Sequence, residues 1–201
     1  LANQTSEPLT GRKFEFHLHP LALGELASVE TMRETRRMLD IRLIYGMYPA
    51  VLTAGKDRAG EILKELTGSY LYQDVLSSKD IRKPELLDKL LRALALQLGN
   101  EVSMPELGRL IGVDKVTVEI YLSVLEQAFV VFRLPPYSRN LRTELKRLRK
   151  VYFWDVGIRN ALINNLNPAE LRTDLGGLWE NFVIVERMKA LQNAGRSARC
   201  Y

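Results

Sequence analysis

The residues best equipped for chemistry in this chain are charged, and they cluster. The stretch "SRNLRTELKRLRK" gathers Arg139, Arg142, Lys146, Arg147, Arg149 and Lys150 against the single acid Glu144. Its excess of five equals the formal charge of the whole chain, +5 from 29 basic and 24 acidic residues. Such a run tracks a phosphate backbone or enters a minor groove, or else is a solvated loop. Upstream, "GVDKVTVEIYLSVL" offers Lys115, Thr117 and Ser123 as side chains able to reach base edges. From Asp114 to Gln127, however, Asp114, Glu119 and Glu126 outnumber Lys115, and a surface of that sign repels phosphate.

Other chemistries find less support. His17 and His19 have chelating spacing for one strand face, but zinc takes at least three protein ligands and no third histidine exists. No metal is therefore expected. No serine or cysteine stands beside a usable histidine, so nucleophilic catalysis is not expected. Tyr70, Tyr72 and Asp74 read as helix packing plus a surface carboxylate. The lone Cys200 cannot close an intramolecular disulfide, which fits a reducing, cytoplasmic setting. No apolar run approaches the roughly 18 residues of a membrane span, so no membrane partner is expected.

The elements that must position these residues follow from periodicity. "EPLTGRKFEFHLHPL" alternates Phe14, Phe16 and Leu18 with Lys13, Glu15 and His17, the pattern of a half-buried strand. No partner strand lies nearby, so its neighbours are expected upstream of Leu1 or in another copy of the chain. Helices are then expected over residues 21–29, 35–45 (ended by Gly46), 57–76 and 84–99, with "GMYPAVL" as a turn. Pro84 opens the last of these, and Leu86, Leu87, Leu90, Leu91, Leu94 and Leu98 recur at three and four until Gly99.

The segment 103–134 reads as a helix-turn-helix. Leu107, Ile111, Val113, Val118, Tyr121 and Leu125 are its expected buried set; Gly108 is small at the helix crossing, Gly112 serves the tight turn, and Asp114 caps the second helix. "FVVFRLPP" and "KVYFW" are two short β runs able to pair, which completes the plan of a winged helix whose wing is the basic run. Asp155 is expected to cap a helix to Ile163, "NNLNPAELRTDLGG" to be a linker, and residues 178–194 a final helix facing inward through Trp179, Phe182, Val183, Val185 or its neighbour Ile184, Met188 and Leu191. The fold class expected is mainly α with small β elements.

With those residues in place, the chain resembles bacterial and archaeal AAA-type ATP-binding proteins that carry a C-terminal domain of unknown function. The motifs are "EPLTGRKFEFHLHPL", "GMYPAVL", "GSYLYQDVL", the winged-helix segment, "LPPYSRN", "KVYFWDVGI" and "GGLWENFVIVERM", and they cover nearly the whole chain. The resemblance implies that residues 1–30 are the tail of an ATPase core, with 31–100 a helical region and 101–165 a winged helix with a basic wing. Residues 166–201 become a linker and the first helix of a restriction-endonuclease-like α/β domain. It implies ATP and Mg²⁺ in the full-length protein, but none in these residues, which contain no G-x-x-x-x-G-K-[ST] phosphate loop. It places Arg12 near the nucleotide phosphates, where the plain reading is a solvated turn arginine. It makes Glu180 a candidate helical ligand of a nuclease metal, where the plain reading is a first-turn carboxylate favoured by the helix dipole.

Two functions stay open. In one, the winged helix and basic wing of an ATPase arm bind DNA. In the other, the module packs on its own ATPase domain or on another subunit, and an oligomer is compatible with either.

Overall fold

The computed structural model describes residues 17–70, 75, 81, 83–134 and 149–196, with the backbone alone at 69 and 70. Of the expected opening strand, Phe14 and Phe16 fall outside this range, residues 17–19 form no strand, and Leu18 is almost fully exposed. The described chain is mainly helical with one small antiparallel sheet.

The first half shows capping chemistry prevailing over apolar periodicity. After α1 (Leu23–Leu26), Thr31 and Glu34 exchange the two hydrogen bonds of a capping box, so α2 (Met32–Arg37) begins ahead of the expected Thr35. Met38 separates it from α3 (Leu39–Tyr45), which stops at Gly46 in a positive-φ conformation, φ 78°. Tyr48 is extended before Pro49, as a residue before proline should be. The proline then opens α4 (Pro49–Ala54), where its missing N–H costs nothing. Of the long helix expected over 57–76, the structure describes α5 (Lys56–Glu65), a π turn, Leu66–Tyr70, and a helical Val75; residues 71–74 and 76 lie outside the described residues. α6 (Pro84–Leu96) buries Leu87, Leu90, Leu91 and Leu94 of the expected stripe; Leu86 is half-buried, and Leu98 is buried beyond the helix end.

The second half contains β1 (Glu101–Val102), α7 (Met104–Ile111), α8 (Lys115–Gln127), β2 (Val131–Leu134) and β3 (Arg149–Phe153). The strands lie in the order β1-β3-β2, all antiparallel, with Val131 opposite Phe153 and Leu134 opposite Lys150. The two expected β runs do pair, and the two-residue β1 adds a third strand that had no signal of its own. Side chains alternate across this sheet. Val131, Val151 and Phe153 join the main core, whereas Phe132, Leu134, Tyr152 and Trp154 form a second apolar cluster with Val185.

α9 (Val156–Leu162), a 3₁₀ turn (Ala169–Leu171) and α10 (Leu175–Asn193) are the remaining elements of the described residues. α10 starts three residues before the expected Leu178, and its buried face is Leu178, Asn181, Phe182, Val185 and Lys189. Trp179 and Val183, expected inside, are exposed. The reason is polar. Asn181 donates to and accepts from the backbone of Phe153 at 2.8 Å each, extending the ladder of β3, and Lys189 donates to the Leu21 carbonyl at 3.0 Å.

Three further polar staples fix the elements. The buried Asp155 accepts from the Met47 and Ile158 amides at 2.7 and 3.1 Å, joining "GMYP" to "WDVG" as well as capping α9. Asn160 donates to the carbonyls of Leu43 and Ile44 at 3.0 and 2.9 Å, tying α9 to α3. Arg159 and Arg172, both buried, share Asp174, and Arg159 also donates to the Ala95 carbonyl. The main apolar core is continuous from Leu43 of α3 through α6 and α8 to Phe182 of α10.

Candidate functional site

The helix pair α7–α8 is built as its residue types require. A Cβ on Gly108 would stand 2.6 Å from the Val113 carbonyl oxygen, so the turn between the helices closes only on glycine. Gly112 adopts the left-handed conformation, φ 80° and ψ 36°, that ends α7. Asp114 then accepts from the Thr117 amide at 2.8 Å and from its hydroxyl at 3.1 Å. The amide bond holds the Asp114 carboxyl below its usual range. Leu107, Ile111, Val118, Tyr121 and Leu125 are all buried, and Val113 is half-buried.

The outer surface of α8 differs from the expectation of a nucleic-acid reader. Thr117 is committed to the cap, which leaves Lys115 as the helix's exposed cation. Glu126 accepts from Arg133 Nε at 2.9 Å and Nη2 at 2.5 Å, and Glu119 accepts from its Nη1 at 2.7 Å. The Glu126 hydrogen bonds raise the Arg133 guanidinium further above its ordinary value. These two acids thus share one cation of β2, which leaves a net charge of −1, and Val116 (58% exposed) and Ile120 (43%) lie on the same helix, one turn apart.

Of the basic run, Arg139, Arg142, Lys146 and Arg147 lie outside the described residues, as does Arg12. Arg149 and Lys150 are half-buried at the start of β3. Lys150 is brought together with another predicted residue, Glu180, whose Oε1 accepts from Lys150 Nζ at 2.8 Å and from the Tyr152 hydroxyl at 2.5 Å. Burial would raise the Glu180 carboxyl, but these two donors outweigh it and hold it low; burial and the same carboxylate push the Tyr152 phenol up. Glu180 sits in the second turn of α10, not the first. A carboxylate oxygen already shared by an ammonium and a phenol is a poor ligand for Mg²⁺, and no group of three or more potential metal-binding side chains occurs among the described residues. The residues present do not fit a metal at Glu180.

His17 and His19 pack as aromatic rings. His19 stacks on Trp154 at 3.8 Å, and His17 lies 4.9 Å from Phe129. Burial drives the His19 imidazole below its ordinary value, although a hydrogen bond with Gln192 opposes this. Phe129 adopts φ 55°, rare for a bulky residue, where α8 ends. Sequence reasoning missed the roles of Glu186, Lys189, Arg133 and Asn181; each is a polar residue whose partner lies on another element, and no spacing rule announces that.

No helix among the described residues is long and apolar enough to cross a membrane. The chain is 22% identical over 198 residues to an uncharacterized protein of Haemophilus influenzae, a match covering 94% of this chain and 48% of that protein. Uncharacterized proteins of Mycobacterium bovis and Mycobacterium tuberculosis are 35% identical over 100 residues, covering 49% of this chain and 22% of theirs. The chain thus spans less than half the length of these relatives. No solved structure matches it. The model of a domain of unknown function, DUF8612, matches residues 36–169, from α2 to the 3₁₀ turn. On that match, which takes in both halves of the helical core and the whole sheet, the chain belongs to the DUF8612 family.

Proposed function

We propose that this chain is the C-terminal portion of an AAA-type ATP-binding protein, in which α7, α8 and the strand pair act as a winged helix that couples nucleotide state to a protein partner. The observation that carries the coupling role is the outer face of α8. It presents the aliphatic side chains of Val116 and Ile120 on the same helix as carboxylates already bound to Arg133. A helix that reads nucleic acid presents cations and hydrogen-bond donors to phosphate and base edges; exposed aliphatic carbon with few free charges suits the core of a protein interface. The ATPase part rests on the resemblance carried by the motifs from "EPLTGRKFEFHLHPL" to "GGLWENFVIVERM". ATP and Mg²⁺ belong, in this reading, to the remainder of the full-length protein, and the described residues supply no step of hydrolysis.

Binding of DNA through the basic wing is the second reading, favoured by the six cations between Ser138 and Lys150. A labelled duplex titrated with the chain across a salt series separates the two. The protein-coupling reading expects only nonspecific binding, near 10⁻⁴ to about 10⁻⁶ M at physiological salt; a tighter complex that weakens steeply with salt establishes the DNA reading instead. In the full-length protein, a photo-crosslinking residue in place of Val116 is expected to capture the ATPase core or another subunit. Adducts to nucleic acid alone would overturn the proposal. Mg²⁺-dependent ATP hydrolysis by the full-length protein tests the ATPase part separately.

A further inference from the structure

α2 is a regular helix that buries no residue of its own. Two acids at its N-terminal end are already engaged. Glu34 closes the capping box on Thr31, and Glu30 receives Arg42 Nη2 on both carboxylate oxygens at 2.5 Å. Arg42 is itself buried, and its Nε and Nη1 have no partner. Arg33, Arg36 and Arg37 make no ion pair among the described residues, and the nearby Asp40 makes none with them. Beside these three guanidiniums, Val29 (78% exposed) and Met32 (73%) face solvent.

We propose that Val29, Met32, Arg33, Arg36 and Arg37 form a docking face for a protein segment that carries alternating acidic residues and an apolar side chain. The geometry of α2 sets the pattern. Arg33 and Arg37 are four residues apart on one helix face, with Cβ atoms roughly 6 Å apart. An extended segment places residues i and i+2 on one side at about 6.6 Å, so two carboxylates in alternate positions meet two guanidiniums, each able to bind in a bidentate way. Arg36 adds a third contact on the adjoining face. Met32 is unbranched and adapts to an apolar neighbour, as methionine does at binding surfaces.

Charge complementarity is what names the occupant. The segment 30–42 holds four guanidiniums against three carboxylates, Glu30, Glu34 and Asp40; Glu30 is taken by the buried Arg42, and the exposed Glu34 is hydrogen-bonded to Thr31 with Arg37 as its nearby cation. A nucleic acid is disfavoured by composition: the patch contains no aromatic or amide side chain to stack on or read a base, and two of its five exposed residues are apolar. Arginine and methionine are enriched, and lysine depleted, in protein interfaces. A membrane is disfavoured by extent, since six helical residues span only about 9 Å.

The test is fluorescence polarisation with the whole 201-residue chain and a labelled peptide of three aspartates at alternate positions flanked by leucines. The controls are the same peptide with asparagines and a DNA duplex of equal charge. The acidic peptide is expected to bind, and R33E/R36E/R37E to weaken it by tenfold or more while circular dichroism stays unchanged, because α2 buries nothing. Raising salt from about 50 to about 300 mM should weaken binding severalfold through screening. Met32→Ser is expected to lose a smaller factor, and replacing the three arginines by lysine should retain part of the affinity but not all. Equal binding of the asparagine peptide, indifference to the triple substitution, or no binding of the acidic peptide overturns the proposal. A duplex that binds more tightly than the peptide and is released by R33E/R36E/R37E transfers the patch to a nucleic-acid partner and overturns it too.

Discussion

Gly108 is where a single atom decides whether α7 and α8 can cross. With the Val113 carbonyl oxygen 2.6 Å from where a Cβ would sit, Gly108→Ala must push the turn apart. The expected cost is about 1–3 kcal/mol by urea denaturation, as for other overpacked sites. Gly112→Ala meets no atom and pays only for its left-handed backbone, about 1 kcal/mol. If the two substitutions cost the same, the close crossing is not what glycine supplies at 108. At this scale the helix-turn-helix was readable, because Gly108, Gly112 and Asp114 act within a few residues of themselves and their demands are local. Asn181 was not readable. Its amide serves the backbone of Phe153, 28 positions away, and nothing adjacent to Asn181 records that.

Among the elements, α10 shows why an apolar stripe can point the wrong way. Trp179 and Val183 are among its large hydrophobic side chains and satisfy helical spacing, yet they face outward. Asn181 and Lys189 take the inner face because each satisfies a buried backbone group, which an apolar residue there would leave unpaired. Phe182→Ala is therefore expected to cost about 3–5 kcal/mol, while Trp179→Ala stays within about 1 kcal/mol. Thermal melts of the two variants check this, and a larger loss at Trp179 would contradict the assignment of the buried face. α6 had no such competition, and its leucine stripe could be read directly from the spacing. α2 was misplaced for a related reason: a reading of apolar periodicity passes over the box of Thr31 and Glu34.

At the scale of the whole molecule, Asp174 is the hub of the buried polar network. Burial alone would raise its carboxyl, but hydrogen bonds from Arg172 and Arg159 outweigh it and hold it below the ordinary value. A carboxyl depressed on folding contributes stability above its unfolded value, about 3.9, and loses it as pH falls through the folded one. Asp174→Asn should therefore cost about 3–5 kcal/mol at neutral pH, because it strands two buried arginines, and progressively less in strong acid. Denaturation at several pH values measures it; a cost independent of pH would mean that the charge is not what matters.

The chain's early and late residues are sewn together: the Leu21 carbonyl and Leu23 amide meet Lys189 and Glu186, across 168 and 163 positions. During synthesis, at 5–20 residues per second, the early segment waits roughly 10–30 s before α10 exists to receive it. Over that interval Ala22, buried in the finished protein, has no covering and is open to chaperones. Among the described helices α10 is thus the one that receives this early segment, and the time taken to translate the residues between Leu21 and Lys189 sets how long the segment stays uncovered.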